Sequence, residues 1–225
     1  MSPRARTPPK RAGSPSRPRL SRQRVLHEAA RLVDEQGLDA LTMRALAGRL
    51  GVEAMSLYGH VVGKGDLRDG IAEQLWAEVE RSFDASGSWQ DALRSLALGL
   101  RSLAVEHSNC FPLLVGASAI FTPTLRIFQA GHATLRAAGF DDERAAKTVN
   151  AVVGYAIGYG AMELSCLAAG PSGGDEAQLD AVVRLTRALP ASAPAELVRV
   201  AHDAAVDVQD QFAFGLEALL AGLAP

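Results

Sequence analysis

The chain has 225 residues, of which 48% are hydrophobic and 21% charged. At roughly 100 to 200 residues per domain, this length holds one large domain or a small one joined to a larger one, and the composition excludes wholesale disorder. The formal net charge of −2 conceals an uneven division: residues 1–24 carry eight basic side chains and no acid, which leaves 15 bases against 25 acids elsewhere. Charge alone therefore points to a polyanion-seeking segment on an acidic body, with a solvated tail as the plain alternative.

No strand-like alternation of useful length occurs, whereas helical spacing recurs along the chain, so the predicted fold class is all-α. Residues 1–20, with Pro3, Pro8, Pro9, Pro15 and Pro18, read as a disordered basic arm, because proline removes backbone donors and little there can be buried. Ser21 is placed to cap a first helix carrying Val25, Leu26, Ala29, Leu32 and Val33 at three- and four-residue steps, and Gly37 ends it. Thr42 caps a short segment, Met43 to Leu50, and Gly51 permits a tight left-handed turn into a second short helix, about Ala54 to His60. A longer helix is expected from about Lys64 to Phe83.

Asp84 to Ser88 reads as a linker, followed by candidate helices at about 89–107, 124–138, 141–168, 176–189 and 195–223. The domains expected are thus an arm over 1–20, a small helical domain with its connecting helix over 21–83, and a larger helical domain over 84–225. Cys110 and Cys166 form no CxxC pair, and the basic amino terminus is not followed by an apolar leader, which points to the cytoplasm. The uncharged stretch from Thr148 to Met162 is shorter than the roughly 20 residues a membrane span needs.

Two short helices joined by a glycine turn over Leu41 to Leu57 have the size and punctuation of a helix-turn-helix, whose second helix enters a major groove. The residues sharpen this. Gly51-Val52, Ser56-Leu57-Tyr58, His60-Val61 and Lys64…Leu67 stand in an order and spacing that closely resembles the DNA-binding segment of the TetR family of transcriptional repressors. Ser88-Trp89-Gln90-Asp91 and the ending from Phe212 to Leu223 resemble a tetracycline-repressor-type C-terminal domain. Where that family usually has an aromatic residue after the tyrosine of the recognition helix, this chain has Gly59.

The resemblance implies a homodimeric, ligand-responsive repressor that binds a palindromic DNA operator and is released by a small effector, which Leu96 and Leu114 make a largely apolar one. Arg44 is placed to contact guanine O6 and N7, and Glu53, Ala54, Met55 and Ser56 open the recognition helix, the end that reaches base edges. Met55 suits an apolar contact and Glu53 a cytosine amino group. Thr42, Ser56, Tyr58, His60 and Lys64 suit phosphate contacts, with Thr42 equally a cap, and Arg22 and Arg24 reach toward the backbone from the first helix.

Gly154, Gly158, Ala161 and Ser165, together with Val208, Phe212, Leu216, Leu219 and Leu223, form small and apolar stripes on two helices that suit a four-helix bundle across a two-fold axis. Intramolecular packing is the alternative. Trp76, Leu96, Leu100, His107, Phe111, Leu114, Phe128, Tyr155, Tyr159 and Met162 are the candidate effector-pocket residues. His107 and Cys110 alone do not make a metal site, and no cofactor is expected. The positions by which the tetracycline-binding relative holds drug and magnesium fall on Glu80, Leu96, Leu114 and Ala117, and leucine coordinates no cation. The chain has no GxSxG, HExxH, phosphate-loop or dinucleotide motif, so an enzyme is not expected. The remaining alternative is a DNA-binding regulator or activator without an effector.

Overall fold

A computed structural model describes residues 19–116, 120–168 and 208–223, with positions 194, 196 and 225. The side chains of 166–168, 208 and 209 are not among them. Most of the arm, the expected helix over 176–189, the first part of the expected helix over 195–223, Ala117, and the side chain of Val208 lie outside the described residues.

The first helix, α1 (Arg22–Gln36), starts on Ser21, whose Oγ accepts the Arg24 N–H at 3.2 Å, and ends on Gly37. Its buried face is Val25, Leu26, Ala29, Leu32 and Val33. A 3-10 turn, Leu38–Ala40, was not foreseen from the sequence, and it delivers Leu41 fully buried into the core. Thr42 Oγ1 accepts the Ala45 N–H at 3.1 Å and so caps α2 (Met43–Leu50). Gly51 follows at φ 67 and ψ 37, a left-handed geometry that costs a residue with a Cβ, and the Val52 N–H returns to the Ala47 carbonyl at 3.0 Å.

The next helix, α3 (Ala54–Leu57), is shorter than the expected stretch to His60. Gly59 is a poor helix former, and the chain instead tightens into turns, with His60 N–H bonded to the Leu57 carbonyl at 2.9 Å. Those turns bring Val61 back into the core, 2% exposed. The long α4 (Lys64–Ser82) then passes through both halves of the molecule. Leu67 and Ile71 complete the core around α1, and a Cβ on Gly70 would run into the Leu26 side chain, so that glycine sets how closely the two helices approach. Farther along α4, Leu75, Trp76 and Val79 join the larger core.

That larger core is built from α5 (Trp89–Glu106), α6 (Pro112–Gly116), α7 (Thr122–Ala137), α8 (Asp142–Ala168) and α9 (Val208–Gly222). A capping box starts α5: Ser88 Oγ accepts the Asp91 N–H at 3.1 Å and Asp91 accepts the Ser88 N–H at 3.3 Å. The most extensive helix pair is α5 with α8. It buries Leu96, Ala97, Leu100 and Ala104 on one side and Val149, Val152 and Ala156 on the other. Across α4 and α8 lies α7, and Trp89 meets Phe140 edge to face at 5.1 Å. Among the described residues there is no strand, and no helix is long and apolar enough to cross a membrane.

Candidate nucleic-acid interface and regulatory core

On the outer side of α2 and α3 the structure gathers Thr42, Arg44, Glu53, Met55, Ser56, Tyr58 and Lys64, all exposed. Met55 is 76% exposed and Tyr58 51%. Leu57, completely buried, anchors α3 from beneath, so the exposure of Met55 is a consequence of helical geometry and not of loose packing. Ala54 and His60 are half-buried. Between the two helices lies a shallow concavity of about 580 Å³ lined by Arg44, Gly48, Gly51, Val52, Glu53 and Ala54. The opposite side of α2 is fixed by charge: Arg49 bonds Glu28 at 2.7 Å and Glu35 at 2.6 Å, both on α1. These bonds raise the Arg49 pKa, and Arg49 lowers that of Glu35.

Arg22 has a role the sequence did not announce. Its guanidinium makes a two-pronged bond to Asp66 at 2.6 and 2.8 Å and donates to the His60 carbonyl at 3.1 Å. It therefore ties α1 to the start of α4 and to the end of the recognition turn, and any phosphate contact must share that guanidinium. Asp66 also accepts the Val62 N–H at 2.9 Å. The bond to Arg22, against a smaller opposing effect of burial and with help from that N–H, holds the Asp66 carboxyl down at about 2. Arg24 is half-buried.

In the larger domain, Trp76, Leu96, Leu100, Phe111 and Leu114 are buried in one continuous core, with Phe128, Tyr155 and Tyr159 partly buried against it. Two of the expected pocket residues lie elsewhere. Met162 is 52% exposed on the outer face of α8. His107 sits at the junction of the domains, with Nδ1 2.7 Å from Asp34 and Nε2 3.1 Å from Glu78. Glu163 is already paired: Arg101 reaches it at 2.9 and 3.1 Å, and the two side chains are 15% and 11% exposed. Arg101 also lies 5.2 Å from the centre of the Phe212 ring.

The helix faces expected to meet a second copy divide. On α8, Gly154, Gly158 and Ser165 are exposed and Ala161 is half-buried. On α9, Phe212 and Leu216 are 1% and 2% exposed within their own chain, and Leu219 and Leu223 are half-buried. The reason is that α9 packs back on α5 and α8, where Phe212 lies tilted against Tyr155 and edge to face with Tyr159, and its carbonyl accepts the Tyr155 hydroxyl at 2.8 Å. The outward side of α9 instead carries Phe214, 77% exposed, with Ala218 and Ala221 one and two turns on.

A helix-turn-helix capped and clamped in this way, joined by one shared helix to a larger helical body, defines a class of DNA-binding regulator. Residues 25–71 match the model of the bacterial regulatory proteins of the tetR family, and residues 84–225 match the tetracyclin repressor-like C-terminal domain. The chain belongs to the TetR family of transcriptional regulators. A repressor of Streptomyces coeruleorubidus, the HTH-type transcriptional repressor DrrR1, is 29% identical over 213 residues, covering 92% of this chain and 78% of that protein. A crystal structure of a "possible TetR family transcriptional regulator" from Streptomyces coelicolor A3(2) has a TM-score of 0.76 at 30% identity and covers 90% of this chain and 98% of its own. A TetR variant from Acinetobacter baumannii AYE, in complex with minocycline, has a TM-score of 0.68 at 27% identity and covers 91% of this chain and 96% of its own.

Asp34, Glu78, Asp66 and Arg101 escaped the sequence reading because their partners lie 29 to 73 residues away, beyond any local period. One signal was present. Glu163 is the only charge between Thr148 and Gly174, and a lone charge in an apolar segment requires a partner from another element.

Proposed function

We propose that the protein is a homodimeric repressor that binds a palindromic operator through α2 and α3 and is released by a small, largely apolar effector. The observation that carries the DNA half of this reading is the outward presentation of Arg44, Glu53, Met55 and Ser56 over a buried Leu57. Dimerisation is supported by the apolar and small residues left facing outward on α8 and α9, above all Phe214 and Met162, which a second copy would cover.

The effector half rests on the apolar character of the lining. By the family resemblance, positions that hold drug and magnesium in a tetracycline-binding relative fall on Leu96 and Leu114, and both are buried and coordinate no cation, so an apolar molecule suits this core better than the minocycline found with the Acinetobacter relative. Thr148 supports the same reading. It is 1% exposed on α8, two turns from Tyr155, and its hydroxyl has no hydrogen-bond partner among the described residues. A polar group on a ligand would satisfy it. The complete burial of Leu96, Leu100 and Phe111 favours the alternative, a DNA-binding regulator or activator without an effector. Thermal shift against a panel of apolar aromatic compounds separates the two, since a ligand of the native state alone raises the Tm.

The DNA reading is tested by selecting duplexes from a random pool with the full chain and with Arg44→Ala. The expected result is a two-fold symmetric site for the wild type and, for the variant, loss of discrimination at one base pair in each half-site, worth about 1–3 kcal/mol. Equal weakening on specific and random duplexes overturns the role given to Arg44.

A further inference from the structure

Three elements meet around His107, which ends α5. From α1 comes Asp34, with Oδ2 2.7 Å from Nδ1, and from α4 comes Glu78, with Oε2 3.1 Å from Nε2. Both imidazole nitrogens thus face carboxylate oxygens. A neutral imidazole has one N–H and would turn a lone pair toward one of them, whereas an imidazolium satisfies both.

The other charged and titratable groups nearby do not supply that second proton. The second oxygen of Glu78 faces Arg81 at 3.7 Å, and Glu106 accepts the Ser102 hydroxyl at 3.1 Å. Cys110 is fully buried with its thiol directed to the Ala30 carbonyl at 3.6 Å, and burial above all, with Asp34 next to it, pushes its pKa up. The other oxygen of Asp34, Oδ1, is buried and has no hydrogen-bond partner among the described residues, so the Nδ1 contact at 2.7 Å is the one ion-pair geometry shown for that carboxylate among the described residues. Asn109 adds a bond to the Asp34 carbonyl at 2.9 Å.

We propose that His107, charged between Asp34 and Glu78, is the positioning residue that fixes the DNA-binding unit against the regulatory body, so that losing its proton loosens α1 and changes DNA affinity. Burial opposes the charge on the imidazole, but the bond to Asp34 and the charges of Asp34 and Glu78 outweigh it and raise the pKa above its ordinary value. The sign follows. The latch contributes its full stability below the unfolded-state pKa of about 6.5 and loses it as pH rises through the higher folded value.

The proposal rests on the reading that DNA is bound through α2 and α3, and three measurements keep the two apart. The first two are the Tm and the hydrogen exchange of amides 29–36, from pH 6 to pH 9, in the full chain and in His107→Gln. In the wild type the Tm and the protection factors of those amides, which remove the intrinsic rise of exchange with pH, fall as pH rises, and in the variant both profiles are flatter. The third is affinity for a duplex selected from a random pool by the wild type. Over the same range it changes by about fivefold or more in the wild type relative to the variant, the low end of coupling between sites.

Identical pH profiles in wild type and variant overturn the proposal. Failure to select any duplex at any pH removes the DNA reading and leaves Tm and exchange to decide the latch. Should His107→Gln not fold, proton NMR of the wild type and Asp34→Asn replaces it. His107 then titrates above 6.5 in the wild type and lower in Asp34→Asn, and a wild-type value at or below 6.5 overturns the proposal.

Discussion

At the residue scale the DNA-binding unit is held by a few side chains that each do two things. Thr42 caps α2 and stands exposed on the outer surface, so its capping role and a phosphate contact are compatible in one residue. Arg22 is the clearest case, since it holds α1 against α4 and steadies the turn that follows α3. Because the Asp66 pKa lies at about 2, this pair contributes stability above the unfolded carboxylate value near 4. That contribution fades as pH falls toward the folded value. Arg22→Gln is therefore expected to cost about 1 kcal/mol or less at neutral pH, because the arginine is 45% exposed and the pair is screened by solvent. Thermal melts check it: the Tm falls by about 2–4 °C at pH 7, and the gap to the wild type narrows below pH 4. A gap that stays constant down to pH 2 contradicts the assignment.

At the scale of elements, the helices that bury one face were legible in the sequence and the contacts between helices were not. The spacing of Val25, Leu26, Ala29, Leu32 and Val33 gave α1 its extent, and Ser21, Thr42 and Gly51 marked ends the structure confirms, because caps and apolar periods are local. The second short helix ends at Leu57, short of the expected His60, because Gly59 is a poor helix former and the turns there return Val61 to the core, a tertiary contact that no local period shows. For α9 the sequence leaves open which body covers its apolar stripe, a second copy or its own chain. Phe212 and Leu216 form an apolar stripe whichever body covers it, and only the packing of α9 on α5 and α8 shows that their own chain does. The consequence for assembly is specific. Phe214→Asp, on the outward side of α9, is expected to weaken dimerisation by at least about thirtyfold, as for an interface hot spot. Sedimentation of dilute protein tests this, and a dimer of unchanged strength would move the interface elsewhere.

At the scale of the whole molecule, charge is distributed by domain. The first 24 residues carry eight bases and no acid, while the rest of the chain carries 15 bases against 25 acids, so attraction to a polyanion is concentrated in that segment and is screened by salt. Deleting residues 1–20 is expected to flatten the slope of log affinity against log salt by about 0.9 for each phosphate the arm neutralises. An unchanged slope in a salt titration would leave the arm with no part in binding.

The continuous helix α4 adds a mechanical consequence. With 19 residues it is a rod about 28 Å long, embedded at one end beside the recognition elements and at the other in the regulatory core. A rod of that length acts as a lever: tilting it by about 10° carries its far end roughly 5 Å, more than the 3.4 Å rise of one base pair. A tilt of that size about Trp76 and Val79 would be enough to put a recognition helix out of step with the groove.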